Sequence, residues 1–254
     1  MSTDIEGKTA LIFGASTGIG AAIARRFGEL GANLIVHYRS SAAEAEAVAA
    51  DIRAAGGKAD LLQGDIADPR TAGSLVEEAH RRLGRLDIVV NNAGTMFGRS
   101  ATVDVSDEQY RKVIDLNIGG VFFASRRAAE IMRNAQRGTI INTTSIAART
   151  GGSDGAGLYG SAKAFVSTFT RVLAKELAPF GVRVNAVAPG VIQTPFHERY
   201  STAEQLDAAR RGIPLGRLGT AEDCVGAYEF LASERMSGYI TGQIIEVNGG
   251  QLMP

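Results

Sequence analysis

The sequence predicts a doubly wound α/β fold, a parallel sheet covered by helices on both faces. Three observations point to it: nearly continuous apolar runs recur along the 254 residues, stretches of helical period separate most of them, and glycine marks the first junction between run and helix. The first run is Thr9-Ala10-Leu11-Ile12-Phe13, ended by Gly14 and followed by a helical pattern through Ile23 and Phe27 up to Gly31. The next, 33–38, precedes an Ala- and Glu-rich stretch of strong helix formers over 42–55. Further strands are predicted at 59–63, 86–91, 138–144, 182–188 and 243–247, with helices at 69–83, 107–133, 158–180 and 221–232. Each crossover between parallel strands must return across one face, so seven such strands require helices on both.

Composition bounds the partners. Apolar residues make up 45% and charged residues 21%, values of a globular chain able to bury a large core. Lys plus Arg (27) equals Asp plus Glu (27), which excludes a partner held mainly by phosphate neutralisation and hence nucleic acid. One cysteine, Cys224, makes no internal disulfide, and with 3 scattered histidines it forms no metal cluster. No apolar run approaches the ~18 residues of a membrane span, and Met1 to Lys8 is too polar for a signal peptide. A reduced, cytoplasmic protein is expected. No Pro/Ser-rich linker divides the chain, so a single domain over 1–254 is expected, with 193–219 as a substrate lid.

The glycine turn Gly14-Ala15-Ser16-Thr17-Gly18-Ile19-Gly20 joins the first strand to its helix, where backbone N–H groups can hold a pyrophosphate. Its position at the carboxyl end of the first strand favours dinucleotide binding over packing alone, although its spacing departs from G-x-G-x-x-G. An NAD site usually has an acid at the end of the second strand; this chain has Tyr38, Arg39, Ser40 and Ser41, a cation beside hydroxyls suited to a 2′-phosphate. NADP is therefore placed ahead of NAD, with dual use open.

Tyr159 and Lys163 lie four apart at the start of a predicted helix and share a face. An adjacent ammonium favours a phenolate, so Tyr159 is a candidate proton carrier. Ser145 ends a strand, where its hydroxyl can donate to a carbonyl oxygen. Asn117 precedes Gly119-Gly120 within a helical pattern, poor helix formers that predict a kink. Asn91-Asn92-Ala93-Gly94 closes the fourth strand with two amides able to pin neighbouring backbone.

At these residues the chain resembles the short-chain dehydrogenase/reductase family from Lys8 to about Gly250: Gly14-x-x-x-Gly18-x-Gly20, Asp65, Asn91-Asn92-Ala93-Gly94, Asn117, Ser145, Tyr159-x-x-x-Lys163 and Pro189-Gly190. The resemblance implies a seven-stranded Rossmann sheet, Asp65 with Ile66 beside adenine, Asn91, Ala93 and Gly94 about the cofactor cleft, and Pro189, Gly190, Ile192 and Thr194 along the nicotinamide. It implies roles as well. Tyr159 would be the general acid/base, Lys163 would lower its pKa and hold the nicotinamide ribose, Ser145 would polarise the carbonyl, and Asn117 would hold a relay water. A homotetramer is also implied, pairing helices 107–133 and 158–180, which carry Val121, Phe122, Phe165, Phe169 and Leu173.

Two features depart from the family pattern. Phe13 stands where a threonine commonly precedes the first glycine, and Ser145 and Tyr159 are 14 apart, one more than expected, so 146–158 is expected to bulge at its glycines. The first functional expectation is an NADP(H)-dependent oxidoreductase interconverting a secondary alcohol and a ketone. A non-catalytic cofactor-binding sensor would need the glycine turn but none of Ser145, Tyr159 and Lys163. For the substrate, a sugar- or polyol-type compound is placed ahead of a 3-oxoacyl thioester on a carrier protein. The resemblance implies that members acting on a carrier place cations at the ends of the two helices beside the site; here Gln136 and Phe180 take those positions, with Arg137 adjacent to the first. Ser153, Asp154, Gln193, His197 and Glu198 offer polar contacts, and Phe97, Leu158, Val191 and Phe196 could line an apolar channel.

Overall fold

The computed structural model describes residues 4–253. Seven strands, β1 (Thr9–Phe13), β2 (Asn33–Tyr38), β3 (Lys58–Gln63), β4 (Ile88–Asn91), β5 (Gly138–Thr143), β6 (Val182–Pro189) and β7 (Ile244–Val247), form one sheet in the order β3-β2-β1-β4-β5-β6-β7. All its pairings are parallel. The chain winds outward from β1 in one direction, then returns to β4 and winds in the other. The carboxyl ends of β1 and β4 therefore diverge into a crevice, where open α/β sheets bind ligands.

Strand alternation sorts the core. Ala10 and Ile12 of β1 pack with Ile23, Phe27, Val48, Tyr228 and Leu231 on one face, while Leu11 and Phe13 pack with Leu75, Val76, Met132, Leu173 and Leu177 on the other. Helices α1 (Gly18–Glu29) and α2 (Ala42–Ala54) lie on the first face, and α3 (Pro69–Leu83) on the second. The predicted helix 107–133 is three pieces: α4 (Asp107–Ile114), a π-helical turn Asp115–Gly120, and α5 (Val121–Ala135). The poor helix formers Asn117, Gly119 and Gly120 widen the helix without breaking it. After β5 come the single turn α6 (Ala147–Thr150) and the long α7 (Gly157–Leu177), which a 3-10 turn over Ala178–Phe180 extends.

The segment 193–219, expected as a substrate lid with no helix predicted in it, contains two helices, α8 (Pro195–Tyr200) and α9 (Ala203–Arg211). Pro195 at the first helical position starts α8, and a reciprocal Thr202–Gln205 capping box starts α9. Neither buries a residue fully, so hydrophobic periodicity gives no signal of them. Helices α10 (Ala221–Ala232) and α11 (Glu234–Ser237) lead into β7. Among the described residues no helix is long and apolar enough to cross a membrane, and no three His, Cys, Asp or Glu side chains come together to hold a metal ion.

One expectation is corrected by topology. Gln136 ends α5 and Phe180 ends the turn after α7, so each precedes the start of a strand, β5 or β6. They lie at the amino edge of the sheet, about 20 Å of strand from the carboxyl edge that carries Ser145. Within this chain they do not flank the site.

Candidate active site

A cleft of about 810 Å³ opens at the carboxyl edge of the sheet. Its floor begins at the glycine turn. Gly14 and Gly18 have φ of +67° and +55°, and a Cβ on Gly20 would meet the Gly14 carbonyl oxygen at 2.1 Å and Asn92 Nδ2 at 2.5 Å. Glycine at 20 thus lets α1 seat against the strand end. Thr17 caps α1 without a side-chain hydrogen bond, whereas Asp68, Ser106, Thr202 and Thr220 cap their helices with one. The first N–H groups of α1 are left to a ligand, and an anion fits them. Ser16, Thr17, Gly18 and Ile19 line the cleft; Gly20 supports it from behind.

At one end Tyr38, Arg39, Ser40, Asp65 and Ile66 line the cleft together with Ser41. Arg39 Nη1 stands 3.8 Å from Asp65 Oδ2, both half-exposed, a weak pair that leaves the guanidinium open to a second anion. His37, a residue the sequence reading passed over, also lines this end. Its ring is buried, edge-on to Phe13 with centroids 4.9 Å apart, so the two share a contact where the threonine hydroxyl is missing.

At the other end stand Ser145, Tyr159 and Lys163. Thr144 Oγ1 donates to the Lys163 carbonyl at 2.8 Å and lies 2.7 Å from Ser167 Oγ, tying α7 to the end of β5. Tyr159 is one helical turn before Lys163, whose Nζ is 5.7 Å from its ring centroid and donates to the Thr143 carbonyl at 2.9 Å. Lys163 is fully buried, among the described residues without a carboxylate partner, and burial pushes its ammonium down to about 8. Enclosure pushes the Tyr159 phenol up from its ordinary value, and the hydrogen bond with Ser145 draws it back only in part. Desolvation is the larger influence on Tyr159, and Lys163 Nζ is hydrogen-bonded to the Thr143 carbonyl.

Asn117, in the π-helical turn, donates through Nδ2 to the carbonyls of Thr95 at 2.8 Å and Val113 at 2.9 Å, while its buried Oδ1 has no partner. It stands behind Gly94: a Cβ there would lie 2.7 Å from Asn117 Oδ1 and 2.9 Å from Lys163 Nζ. The two atoms face a common space beside the Gly94 backbone, suited to a bridging water. Ala93, Gly94, Pro189, Gly190, Ile192 and Thr194 line the cleft as expected. Asn91 does not. Its Nδ2 turns inward to Ser125 Oγ and Asn142 Oδ1, both at 2.8 Å, and Asn92 instead holds the Gly14 carbonyl at 3.1 Å.

Of the proposed substrate contacts, Ser153, Asp154, Val191, Phe196 and His197 line the cleft; Phe97, Leu158, Gln193 and Glu198 do not. The Phe196 ring lies 5.5 Å from that of Tyr159. Burial and the neighbouring Arg99 charge push His197 down to about 4, and its Nδ1 is 2.9 Å from Ser201 Oγ, so it is neutral at pH 7.

A sequence profile described as enoyl-(acyl carrier protein) reductase matches residues 14–251. The chain is 39% identical over 251 residues to a 3-oxoacyl-[acyl-carrier-protein] reductase of Synechocystis sp., covering 99% of each. It is 38% identical to 3beta-hydroxysteroid dehydrogenase 1 of Eggerthella lenta, covering 100% of this chain and 97% of that one. Among solved structures it is similar to an NADH-dependent reductase responsible for alginate metabolism (TM-score 0.90, 35% identity, 99% of both chains). A short-chain type dehydrogenase/reductase from Mycobacterium marinum is likewise similar (TM-score 0.92, 37% identity, 99% of this chain and 98% of that one).

The histidine under the glycine turn yields a pH test. His37 Nδ1 accepts the Gly14 N–H at 3.2 Å, so Nε2 carries the proton towards the Gly64 carbonyl at 3.1 Å. Burial lowers its pKa from 6.5 to about 4, against smaller opposing pulls from the Gly64 carbonyl and from Asp65. Its contribution to stability is complete above pH 6.5 and is lost as pH falls towards 4, because the unfolded chain takes up the proton first. The loss is on the order of 3 kcal/mol. Urea unfolding of His37→Leu is expected to fall less than wild type between pH 7 and 4.5; parallel losses would remove His37 from the acid response.

Proposed function

The chain belongs to the short-chain dehydrogenase/reductase family and is an oxidoreductase acting on CH–OH groups, and from that premise we propose an NADP(H)-dependent enzyme that interconverts a secondary alcohol and a ketone on a small polar, sugar- or polyol-type compound. The observation that carries the chemistry is the convergence of Ser145, Tyr159 and Lys163 in the same cleft as the glycine turn. Bound nicotinamide dinucleotide supplies or accepts the hydride. Ser145 donates a hydrogen bond to the carbonyl oxygen. Tyr159, kept protonated by its enclosure, delivers its proton to that oxygen on reduction and recovers one on oxidation. Lys163 keeps a positive charge at neutral pH beside the phenol and holds the nicotinamide ribose. Asn117 Oδ1 accepts from a water that relays protons from Lys163.

The first N–H groups of α1 receive the pyrophosphate, Asp65 and Ile66 flank adenine, and Arg39 with Ser40 takes the 2′-phosphate. Polar Ser153, Asp154, Ser201 and Gln205 in the far part of the cleft support a hydroxylated substrate. The runner-up, a 3-oxoacyl thioester, is favoured by similarity to the Synechocystis reductase and by Val191 and Phe196 in the wall. The segment 193–219 acts as the substrate lid of a single-domain subunit. Assembly is proposed as a homotetramer: Phe122, Phe165 and Phe169 form a ring cluster on the outer faces of α5 and α7, with centroids 5.3 and 5.8 Å apart, while Val121 and Leu173 turn to the core.

Tyr159→Phe is expected to keep its fold and cofactor affinity and lose about a hundredfold or more in kcat, measured across polyols, sugars and a short 3-oxoacyl thioester with both cofactors. No turnover of any of these by wild type favours the sensor reading; a preference of about a hundredfold for the thioester, about 2.7 kcal/mol, promotes the runner-up. Arg39→Ala is expected to raise KM for NADPH about tenfold and to leave that for NADH nearly unchanged; equal responses would remove Arg39 as the phosphate clamp. Sedimentation at micromolar concentration is expected to give a tetramer, and a monomer would defeat that assembly.

A further inference from the structure

Arg99, in the loop after β4, belongs to none of the motifs above, yet it lines the cleft and joins two other segments across it. Its Nε donates to the Tyr200 carbonyl at 2.5 Å, at the end of α8, and its Nη2 lies 3.4 Å from Ser201 Oγ. On the opposite side Nη1 donates to Ser153 Oγ at 3.0 Å and to the Asp154 carbonyl at 2.9 Å, in the glycine loop before Tyr159. Four acceptors on two segments therefore meet one planar fork, which suits arginine better than a lysine point charge. All four are neutral, and among the described residues no carboxylate lies within ion-pair distance of the guanidinium.

The contact is built from both sides. Gly155 has φ +73°, and a Cβ there would lie 2.9 Å from both Arg99 Cβ and Ser100 N; the Gly155 carbonyl accepts the Ser100 N–H at 3.1 Å. The long Ser145–Tyr159 connection thus bulges to meet Arg99. Thr95 Oγ1 donates to Tyr200 Oη at 2.9 Å, a second tie from the same loop to α8. Tyr200 packs 5.3 Å from Phe196, and Phe196 5.5 Å from Tyr159, so the tie reaches the reacting phenol through two rings.

We propose that Arg99 is the specificity-determining clasp of this enzyme: by fastening α8 to the glycine loop it closes the substrate half of the cleft into a chamber that admits short carbonyl compounds and excludes long-chain ones. The inference rests on the proposed oxidoreductase reading of the same cleft. Arg99 positions the wall and takes no part in proton or hydride transfer.

The test compares wild type, Arg99→Ala, Arg99→Lys and Tyr200→Phe, each with cofactor bound. Arg99→Ala is expected to raise KM for short substrates about tenfold with a smaller change in kcat, and to leave cofactor Kd within about twofold. Its ratio of kcat/KM for a long-chain ketone to that for a short one is expected to rise about tenfold. Arg99→Lys should recover only part of this. Tyr200→Phe, which removes the Thr95 tie but keeps the carbonyl that Arg99 holds, should do less than Arg99→Ala. Amide hydrogen exchange gives a readout independent of turnover: Arg99→Ala should speed exchange in 195–211 and leave 14–29 unchanged. If wild type turns over no carbonyl compound, the oxidoreductase reading fails while exchange still reports the clasp. An unaltered length preference in a folded, active Arg99→Ala, or exchange unchanged in 195–211, would overturn the proposal. Should Arg99→Ala fail to fold, an Arg99→Lys with wild-type KM, length profile and exchange would do so equally.

Discussion

The closest approach in the site is that of α1 to the end of β1, and the rest of the cleft depends on it. Any side chain at Gly20 would occupy the place of the Gly14 carbonyl, 2.1 Å from a Cβ there, so the helix can start beside the strand only if position 20 is bare. Asn92 holds that same carbonyl from β4. One contact thus joins the two strands whose ends diverge at the reversal of strand order, and it aims the uncapped amino end of α1 into the crevice. His37 completes the turn from the other side by accepting the Gly14 N–H. The polar groups of Gly14 are consumed by protein, which leaves the donors of the helix itself to bind an anion.

A second tie places the chemistry. Thr144 fixes the α7 backbone at Lys163, and Gly160 lets the start of α7 press on α6, since a Cβ there would sit 2.8 Å from the Ala147 carbonyl. Tyr159 and Ser145 then face each other although they lie 14 residues apart. In the loop between them Gly155 meets Arg99, where a Cβ would lie 2.9 Å from Arg99 Cβ.

Much of this was legible from residues alone, for reasons that differ by position. β2, α3 and α10 begin where expected because an apolar run, a proline after Asp68, and a threonine cap mark their starts. Ser145, Tyr159 and Lys163 could be singled out because their spacing places them at strand and helix ends. The π-helical turn was legible only as a kink, since composition reports weakness in a helix but not how the backbone absorbs it. Helices α8 and α9 left no trace in hydrophobic periodicity because they bury no full residue; only Pro195 and the Thr202–Gln205 cap mark their starts. Asn91 illustrates a different limit: its neighbour Asn92 points to the cleft, and strand alternation sends Asn91 into the helix layer to meet Ser125. Gln136 and Phe180 were misplaced for a topological reason, because helix ends alternate between the two edges of a parallel sheet and only one edge holds the site.

The electrostatics of Lys163 follow from the same architecture. A buried ammonium without a carboxylate is costly, and this one is sustained by the Thr143 carbonyl and by facing the bare backbone of Gly94. A carboxylate in its place would hold the charge more firmly and would also compete for the donors that Lys163 must offer elsewhere. Asn117 supplies the alternative, a neutral acceptor whose Oδ1 is kept unpaired because its amide nitrogen is fully engaged by Thr95 and Val113. Asn117 sits in the widened turn, and its side chain reaches back one turn to the Val113 carbonyl. The defect in the helix thus carries the residue whose unpaired oxygen stands beside the lysine.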